Sequence, residues 1–231
     1  MSRQDTIVVV PTYNNPKTIK QVVDDILNNK YDVIVVDDGS NNSVKNILSD
    51  EKYKNVHIQT HPQNIGKGQA ILTGAKKAKQ LGYKNIVSMD GDGQHLASEV
   101  IKLIDKNTIE NQIVIGSRNF NIDNIPKKSK IGRAFHNFWI KLNTGFDIED
   151  SLSGFRLYPV SIVDLGTKKV GFNFEIEVLV KHLWKYQHMT QTTIECFYPK
   201  PEDRVSHFDN YKDTLRFILL HLQLFFLKIL K

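Results

Sequence analysis

Two aspartates separated by one glycine, Asp90 and Asp92, lie in the segment SMDGDGQH. The glycine allows the backbone to turn tightly beneath both carboxylates. Two hard oxygen ligands placed in this way suit Mg²⁺ or Mn²⁺ bridging a diphosphate, and Gln94 is a candidate third ligand. Taken alone, such a pair is more often a solvated turn, so its interpretation depends on the elements that position it.

The first half of the chain alternates short β-branched runs with longer helical patterns. The runs are IVVV at 7–10, VIVV at 33–36, VHI at 56–58, NIVSM at 85–89 and IVI at 113–115. Runs that are apolar on both faces are typical of a parallel sheet covered by helices, so they predict a doubly wound α/β unit. Ligands of such sheets bind at the carboxyl ends of the strands, where the two aspartates lie.

Four segments that follow these strands should therefore meet in one crevice. They are Pro11 to Asn14, Asp37 to Ser40, Asp90 to His95 and Gly116 to Arg118. The second of them has an alternative interpretation, because an Asx turn followed by a helix N-cap at Ser40 or Ser43 would use the same residue types.

The second half predicts more helices and strands but no second domain. After a variable loop over 119–126, a basic amphipathic helix begins near Lys127 and ends at Gly145. A strand at FRLYP, a helix from about Asn173 to Lys185, the run MTQTTIECFYP and an apolar helix from about Tyr211 follow. Without repeats, low-complexity tracts or a linker, 1–231 is predicted to be one domain.

Composition argues against several other classes of protein. The 231 residues are 40% hydrophobic and 24% charged, which is typical of a globular domain. The one cysteine, Cys196, cannot form an internal disulfide, so a reducing compartment is expected. The run Ile7 to Val10 is too short for a signal peptide, and none is predicted. The net charge of +6 favours anionic partners, but no nucleic-acid-binding motif accompanies it, so nucleic acid is not a predicted partner.

Several spaced motifs resemble those of the family 2 glycosyltransferases of the GT-A fold. They are VVVPTYNN, VVDDGS, NIGKGQA, DGDGQH and GSR. The later segments DSLSGFRLYP, GFNFEIEV and RVSHFDNYKDTLR are similar to the polyprenyl-phosphate sugar synthases, the dolichyl-phosphate mannose synthase group. The resemblance implies an α/β fold with a mostly parallel central sheet covered by helices and a C-terminal amphipathic helix. It implies a nucleotide-sugar-binding half, 1–118, and an acceptor-binding half, 119–231.

The resemblance also implies roles for residues of the first half. Donor binding is assigned to Pro11, Tyr13, Asp38, Lys67, Gly68 and Asp90, and Mg²⁺ or Mn²⁺ binding to Asp90, Asp92 and Gln94. The chain departs from the family at Asn15, where the family commonly has glutamate. A negative charge expected near the donor pocket is therefore missing.

The acceptor determines which further residues catalysis needs. A hydroxyl acceptor requires a general base, for which the candidates are Glu149, Asp150, Glu175 and Glu177. A polyprenyl monophosphate, whose second pKa is about 6, is already anionic at neutral pH and needs cations that position it. We therefore assign catalysis to Asp90, Asp92, Arg118 and Asp150.

Acceptor binding is assigned to residues with suitable charge or hydrogen-bonding capacity. The resemblance gives this role to Arg118 and favours Arg133 and Arg204, while residue type adds Ser153, Arg156 and His207. Each has a plainer alternative. The arginines could be scattered over the surface, Asp150 and Ser153 could stabilise a tight turn, and His207 could be a packed or surface histidine.

Two apolar helices indicate contact with a membrane. The segment Leu215 to Leu230 is interrupted by polar residues and is shorter than the ~20 residues of a membrane span, so no transmembrane helix is predicted. Its apolar faces suit the domain on one side and lipid or a second subunit on the other. We predict membrane-contacting helices at 127–143 and 211–230 on a cytoplasmic protein at the inner face of the membrane, and we leave a homo-oligomer open.

The sequence thus predicts metal-dependent, inverting transfer of a sugar from a nucleoside-diphosphate sugar to a polyprenyl-phosphate-type lipid. Two alternatives stay open. One is transfer to a hydroxyl of a glycan or lipid. The other is a non-catalytic protein with a degenerate transferase fold, which the departure from the family at Asn15 suggests. The sugar, the nucleotide base and the identity of the acceptor are not determined by the sequence.

Overall fold

A mixed, mostly parallel sheet forms the centre of the protein in the computed structural model, which describes residues 2–118, 127–168, 171, 173–197 and 210–230. Within these residues, seven strands form the sheet in the order β3-β2-β1-β4-β6-β5-β7. The strands are β1 (Thr6–Thr12), β2 (Val33–Asp37), β3 (His57–Thr60), β4 (Asn85–Ser88), β5 (Ile113–Arg118), β6 (Arg156–Pro159) and β7 (Met189–Ile194). The predicted mostly parallel sheet is confirmed.

Helices cover both faces of this sheet. They are α1 (Ile19–Asn28), α2 (Val44–Ile47), α3 (Lys67–Gln80), α4 (Val100–Lys106), α5 (Lys127–Thr144), α6 (Phe174–Tyr186) and α7 (Asn210–Ile229). Alternate residues of β1 belong to two separate apolar clusters. Ile7 and Val9 pack with α3, α5, α6 and α7, whereas Val8 and Val10 pack with α1 and α4. This two-sided burial explains why the strands of the first half are continuously apolar.

Strand β6 lies between β4 and β5 and is antiparallel to both. The sequence predicted this strand at FRLYP but not its position in the sheet. Because it runs in the opposite direction, its first residue, Arg156, pairs with Ser88 and Ile115 near the carboxyl ends of the neighbouring strands. The turn that precedes β6 is thereby brought to the edge of the sheet where the acidic pair lies.

The two helices predicted to contact a membrane, α5 and α7, pack against each other. His136 Nδ1 lies 2.9 Å from His221 Nε2 in the interface. Burial lowers the pKa of His136 to about 4 and that of His221 to about 3, so both rings are neutral at pH 7. Among the described helices, none combines the length and the apolar character that a membrane crossing requires.

Candidate functional site

The acidic pair lies directly beyond β4, in a turn held by β1 and α1. The Thr18 hydroxyl of the α1 N-terminus donates to the carbonyl of Gly91 at 2.6 Å. A Cβ at Gly91 would lie 3.0 Å from Thr12 Oγ1, so the absence of a side chain lets the turn approach β1 closely. Asp92 is exposed, and its Oδ1 accepts the backbone N–H of Gln94 at 3.0 Å.

Lys67, the first residue of α3, forms an ion pair with each of two carboxylates. Its Nζ is 2.7 Å from Asp90 Oδ1 and 3.0 Å from Glu175 Oε1 on α6. Although burial opposes ionisation, the charge of Lys67 holds the pKa of Asp90 below its ordinary value. Although Asp92 is exposed at the surface, partial desolvation of its carboxylate and the negative charge of Asp90 raise the pKa of Asp92. The two neighbouring carboxylates therefore differ in environment, and a further cation beside Asp92 would relieve their repulsion.

The acidic pair also fits a divalent cation in ligand type. A Cβ at Gly154 would lie 2.9 Å from Asp90 Oδ2 and 2.6 Å from Lys67 Nζ, so only a glycine allows the turn before β6 to approach this carboxylate. Within the residues that the structure describes, no three His, Cys, Asp or Glu side chains form a metal site. The chain thus offers two carboxylates, which suits Mg²⁺ or Mn²⁺ completed by waters and substrate phosphate oxygens. Gln94 as a further ligand stays a prediction.

His95 supports the same turn. It was not singled out as a site residue from the sequence. Its ring is buried, lies 5.0 Å from the ring of Phe155, and accepts the N–H of Asp90 on Nδ1 at 3.3 Å. Burial lowers the pKa of His95 to about 4, so the ring is neutral at pH 7. Nδ1 is an acceptor here, which places the proton of the neutral ring on Nε2. The signal available in the sequence was its position three residues after Asp92.

Arg118 and Asp150 form a bidentate ion pair at the end of β5. Arg118 Nε donates to Asp150 Oδ2 at 2.7 Å, and Nη2 donates to Oδ1 at 2.9 Å. The Asp150 side chain is 0% exposed, whereas that of Arg118 is 29% exposed. The buried carboxylate therefore fixes the guanidinium at the crevice. The structure brings these two predicted catalytic residues together, with Asp150 in contact with Arg118 rather than facing the crevice.

Asp38, predicted to bind the donor, is buried and organises the loop before α3. Its carboxylate accepts the backbone N–H groups of Ile65 at 3.0 Å and Gly66 at 2.8 Å. His61 Nδ1 lies 2.7 Å from the same carboxylate. The neighbouring Asp37 accepts the N–H groups of Ser40 and Val44, which is the Asx turn of the alternative interpretation. The donor role of Asp38 stays a prediction, and the structure places the residue in contact with the loop that directly precedes Lys67.

The remaining predicted donor residues occupy the same edge of the sheet. Pro11 is buried at the end of β1, and Tyr13, which follows it, is 37% exposed. Gly68 is buried in α3, where an added Cβ would lie 2.5 Å from Phe174 Cβ. The close approach of α3 and α6 thus requires a glycine here, independently of any nucleotide. Asn15 lies before α1, where its carbonyl accepts the N–H of Ile19 at 3.1 Å.

Arg156 and Ser153 do not fit the predicted role in acceptor binding. Arg156 is fully buried, and its guanidinium donates to the carbonyls of Ser151, Ser153 and Glu175. Ser153 is also fully buried, and its hydroxyl donates to the carbonyl of Gly116 at 2.6 Å. Both side chains fix the turn before β6 against β5 and α6. The turn interpretation of Ser153 fits the structure, whereas neither interpretation of Arg156 anticipated a buried arginine.

The other predicted acceptor residues are only partly covered by the structure. Arg133 lies half-buried on α5. Arg204 and His207 lie outside the described residues. Their roles in binding an acceptor stay predictions.

Three of the four candidate bases are buried and paired. Asp150 contacts Arg118, Glu175 contacts Lys67, and Glu177 Oε1 lies 2.8 Å from Lys181 Nζ. Glu149 is exposed. The ion pair of Glu175 with Lys67 was not predicted from the sequence. An acidic residue between Phe174 and Ile176 on an apolar helix was the available signal of a buried partner.

Comparisons with known proteins agree with this arrangement. The family model for glycosyl transferase family 2 matches residues 7–165. A UDP-N-acetylglucosamine–dolichyl-phosphate N-acetylglucosaminyltransferase of Methanococcus voltae is 35% identical over 174 residues, covering 67% of this chain and 69% of that protein. A polyprenol monophosphomannose synthase of Mycolicibacterium smegmatis is 28% identical over 188 residues, covering 76% of this chain and 71% of that protein.

The fold also matches a solved structure. The crystal structure of glucosyl-3-phosphoglycerate synthase from Mycobacterium tuberculosis in complex with Mn²⁺, UDP and glucosyl-3-phosphoglycerate superposes with a TM-score of 0.67. The sequences are 17% identical, and the match covers 95% of this chain and 79% of that one. At this identity the likeness establishes the fold alone, and it confirms the predicted GT-A type.

Proposed function

The chain belongs to glycosyl transferase family 2 and is a glycosyltransferase, and from this premise we propose that it transfers a sugar from a nucleoside-diphosphate sugar to a polyprenyl-phosphate-type lipid. The proposed transfer inverts the anomeric configuration and depends on Mg²⁺ or Mn²⁺. The names of the Methanococcus and Mycolicibacterium relatives, which refer to dolichyl phosphate and to a polyprenol monophosphate sugar, support this class of acceptor.

The main support for a phosphate acceptor is that the three buried candidate bases are already paired with cations. Both oxygens of Asp150 accept from Arg118, and Glu175 and Glu177 are paired with lysines. A carboxylate in such a pair cannot take a proton from a hydroxyl without losing its cation. A phosphate acceptor brings its own anionic nucleophile, so it needs a fixed cation instead of a base. Arg118 supplies that cation.

In the proposed mechanism, one group of residues binds the metal and another orients the acceptor. Asp90 and Asp92 would hold the divalent metal, which when bound neutralises the diphosphate leaving group. Arg118, fixed by Asp150, would orient the acceptor phosphate through its positive charge and through guanidinium N–H groups other than the two that donate to Asp150. The acceptor oxygen attacks the anomeric carbon in line as the nucleoside diphosphate leaves through an oxocarbenium-like transition state.

Replacing the two candidate bases that lie outside the proposed machinery should leave most of the activity. For Glu149→Gln and Glu177→Gln we expect a kcat/KM for the lipid acceptor within about tenfold of the wild-type value, because no base is needed. Thermal melting of both variants controls for the fold. A loss of about 10²–10⁴-fold in one of them, the usual contribution of a general base, would favour the hydroxyl acceptor.

The α5–α7 pair presents an apolar surface that we propose contacts the membrane. Phe138 on α5 is 61% exposed, and Leu219 and Phe226 on α7 are 57% and 59% exposed. Other exposed apolar residues on the same helices are Phe135, Leu142, Leu215, Ile218, Leu222, Leu227 and Ile229. A surface of this size on two helices is typical of an interaction site, and a lipid-linked acceptor makes the membrane its most direct partner. The inner-face location and a homo-oligomer stay predictions.

Polar substitutions on this surface should weaken binding to lipid. We expect the triple variant Phe138→Ser, Leu219→Ser and Phe226→Ser to bind anionic vesicles at least about tenfold more weakly, because each change removes apolar area from the contact. The measurement is cosedimentation with vesicles. Ile109→Ser serves as the control, since Ile109 is 43% exposed and lies between α4 and β5, outside both helices. Unchanged binding by the triple variant would exclude this surface.

A further inference from the structure

The position of Lys67 raises the question of how a metal reaches the acidic pair. Its Nζ lies 2.7 Å from Asp90 Oδ1, the oxygen of a carboxylate proposed to bind the metal. An ammonium group and a divalent cation repel each other strongly at such distances in a partly buried site. Full access of a metal to Asp90 therefore requires Lys67 to move.

Glu175 is a second carboxylate that can pair with the ammonium group of Lys67. Its side chain is 5% exposed, and its Oε1 already lies 3.0 Å from Lys67 Nζ. Its Oε2 is buried and has no hydrogen-bond partner among the described residues. A buried carboxylate oxygen without a partner is costly, and the three N–H donors of an ammonium could satisfy both oxygens. Glu175 is thus equipped to hold Lys67 without help from Asp90.

Gly154 lies directly beside the ion pair. A Cβ at this position would lie 2.6 Å from Lys67 Nζ and 2.9 Å from Asp90 Oδ2. The ammonium group and the carboxylate therefore both lie against the backbone of this glycine. Any side chain at this position would displace one of them.

We propose that Lys67 is an exchangeable cation that pairs with both Asp90 and Glu175 in the metal-free protein and with Glu175 alone when the metal binds. This inference rests on the proposed metal dependence of the transferase. Glu175 is then a positioning residue that acts on the metal site through Lys67. Lys67 thereby compensates the charge of Asp90 before the metal binds, which avoids an unpaired charge in a partly buried site.

The test compares Mn²⁺ binding by the wild type with that of the double variant Lys67→Met with Glu175→Gln, in the absence of any nucleotide. Free Mn²⁺ is followed by electron paramagnetic resonance. The double change removes one positive and one negative charge, so the net charge around the site is the same and an effect of net charge alone predicts equal affinity. Exchange predicts that the double variant binds Mn²⁺ at least about fivefold more tightly, because no ammonium competes for Asp90.

Glu175→Gln alone supplies a second measurement. In this variant Asp90 is the one carboxylate of the two that can still pair with Lys67, so Mn²⁺ binding should weaken. The same change in the Lys67→Met background should have no effect on Mn²⁺ binding. Equal weakening in both backgrounds would mean that Glu175 acts directly on the metal and would overturn the proposal. If a single variant fails to fold, the double variant decides the test. It lacks the charges of both Lys67 and Glu175, so neither is left without the other.

Failure of this inference is distinguishable from failure of the proposed function. Equal Mn²⁺ affinity of the wild type and the double variant overturns the exchange, whatever the wild type does with sugars. Absence of sugar transfer by the wild type overturns the proposed function even where the Mn²⁺ affinities follow the expected order. Asp90→Asn in the double variant should abolish the tighter binding, which locates the measured site.

Discussion

Replacing Asp92 by asparagine is expected to lower the kcat/KM of sugar transfer by about a hundred- to a thousandfold without loss of the fold. The effect is this large because the change removes a negative ligand of the metal that neutralises the leaving group. The structure supports an intact fold, since Asp92 is exposed and the hydrogen bond that it accepts from the N–H of Gln94 can be accepted equally by an asparagine oxygen.

The control for this prediction is an aspartate outside the crevice. Asp164→Asn breaks an exposed ion pair with Lys79, so it should change neither activity nor melting temperature measurably. Titration of activity with Mn²⁺ adds a second readout, in which Asp92→Asn should require a higher concentration of metal. Activity of Asp92→Asn within tenfold of the wild type at every metal concentration would show that the acidic pair does not carry the reaction.

Replacing Arg118 by methionine is expected to affect both stability and catalysis. Asp150 is fully buried, so removing its partner leaves an uncompensated charge and should lower the free energy of unfolding by about 3–5 kcal/mol. The same change removes the cation proposed to orient the acceptor phosphate, which should reduce transfer by at least about a hundredfold. Urea unfolding measures the first effect, and kcat/KM for the lipid acceptor measures the second.

The double variant Arg118→Met with Asp150→Asn separates these two effects. It removes the orphaned buried charge, so most of the lost stability should return. Transfer should stay low, because the acceptor cation is still absent. Recovery of both stability and transfer would mean that Arg118 serves the fold alone and that the acceptor is held elsewhere.

The sheet and the acidic pair were predictable from the sequence for a simple physical reason. Strands buried on both faces must be apolar throughout, and the runs at 7–10 and 33–36 lie within β1 and β2 as predicted. Asp90 and Asp92 follow such a strand directly, so their place at the carboxyl edge needed no knowledge of tertiary packing.

The partners of the site residues could not be predicted in the same way. Arg118 and Asp150 are 32 positions apart, and their contact depends on the insertion of β6 between β4 and β5. Nothing in a local pattern specifies that insertion. Lys67 and Glu175 likewise meet because Gly68 lets α3 approach Phe174 on α6. The sequence supplied the charges of the site, and the order of the strands determined how they pair.

Arg156 illustrates the limit of arguing from residue type. An arginine in SGFR suits phosphate binding, yet its donors are all directed at carbonyls of the protein interior. The neighbouring residues Phe155, Leu157 and Tyr158 are fully buried, and this apolar setting was the available signal that the arginine lies inside. A buried guanidinium satisfied by three carbonyls stabilises a turn at the site without binding a substrate.

The most direct test of the account is sugar transfer from labelled UDP- and GDP-sugars to a polyprenyl phosphate, run beside the corresponding polyprenol. The two acceptors share the same chain and differ in offering a phosphate or a hydroxyl. The account predicts that one donor, with Mn²⁺, places label in the organic phase with the polyprenyl phosphate, and that EDTA or the polyprenol gives none. Equal labelling of the polyprenol, or no labelling of lipid with any donor, would contradict it.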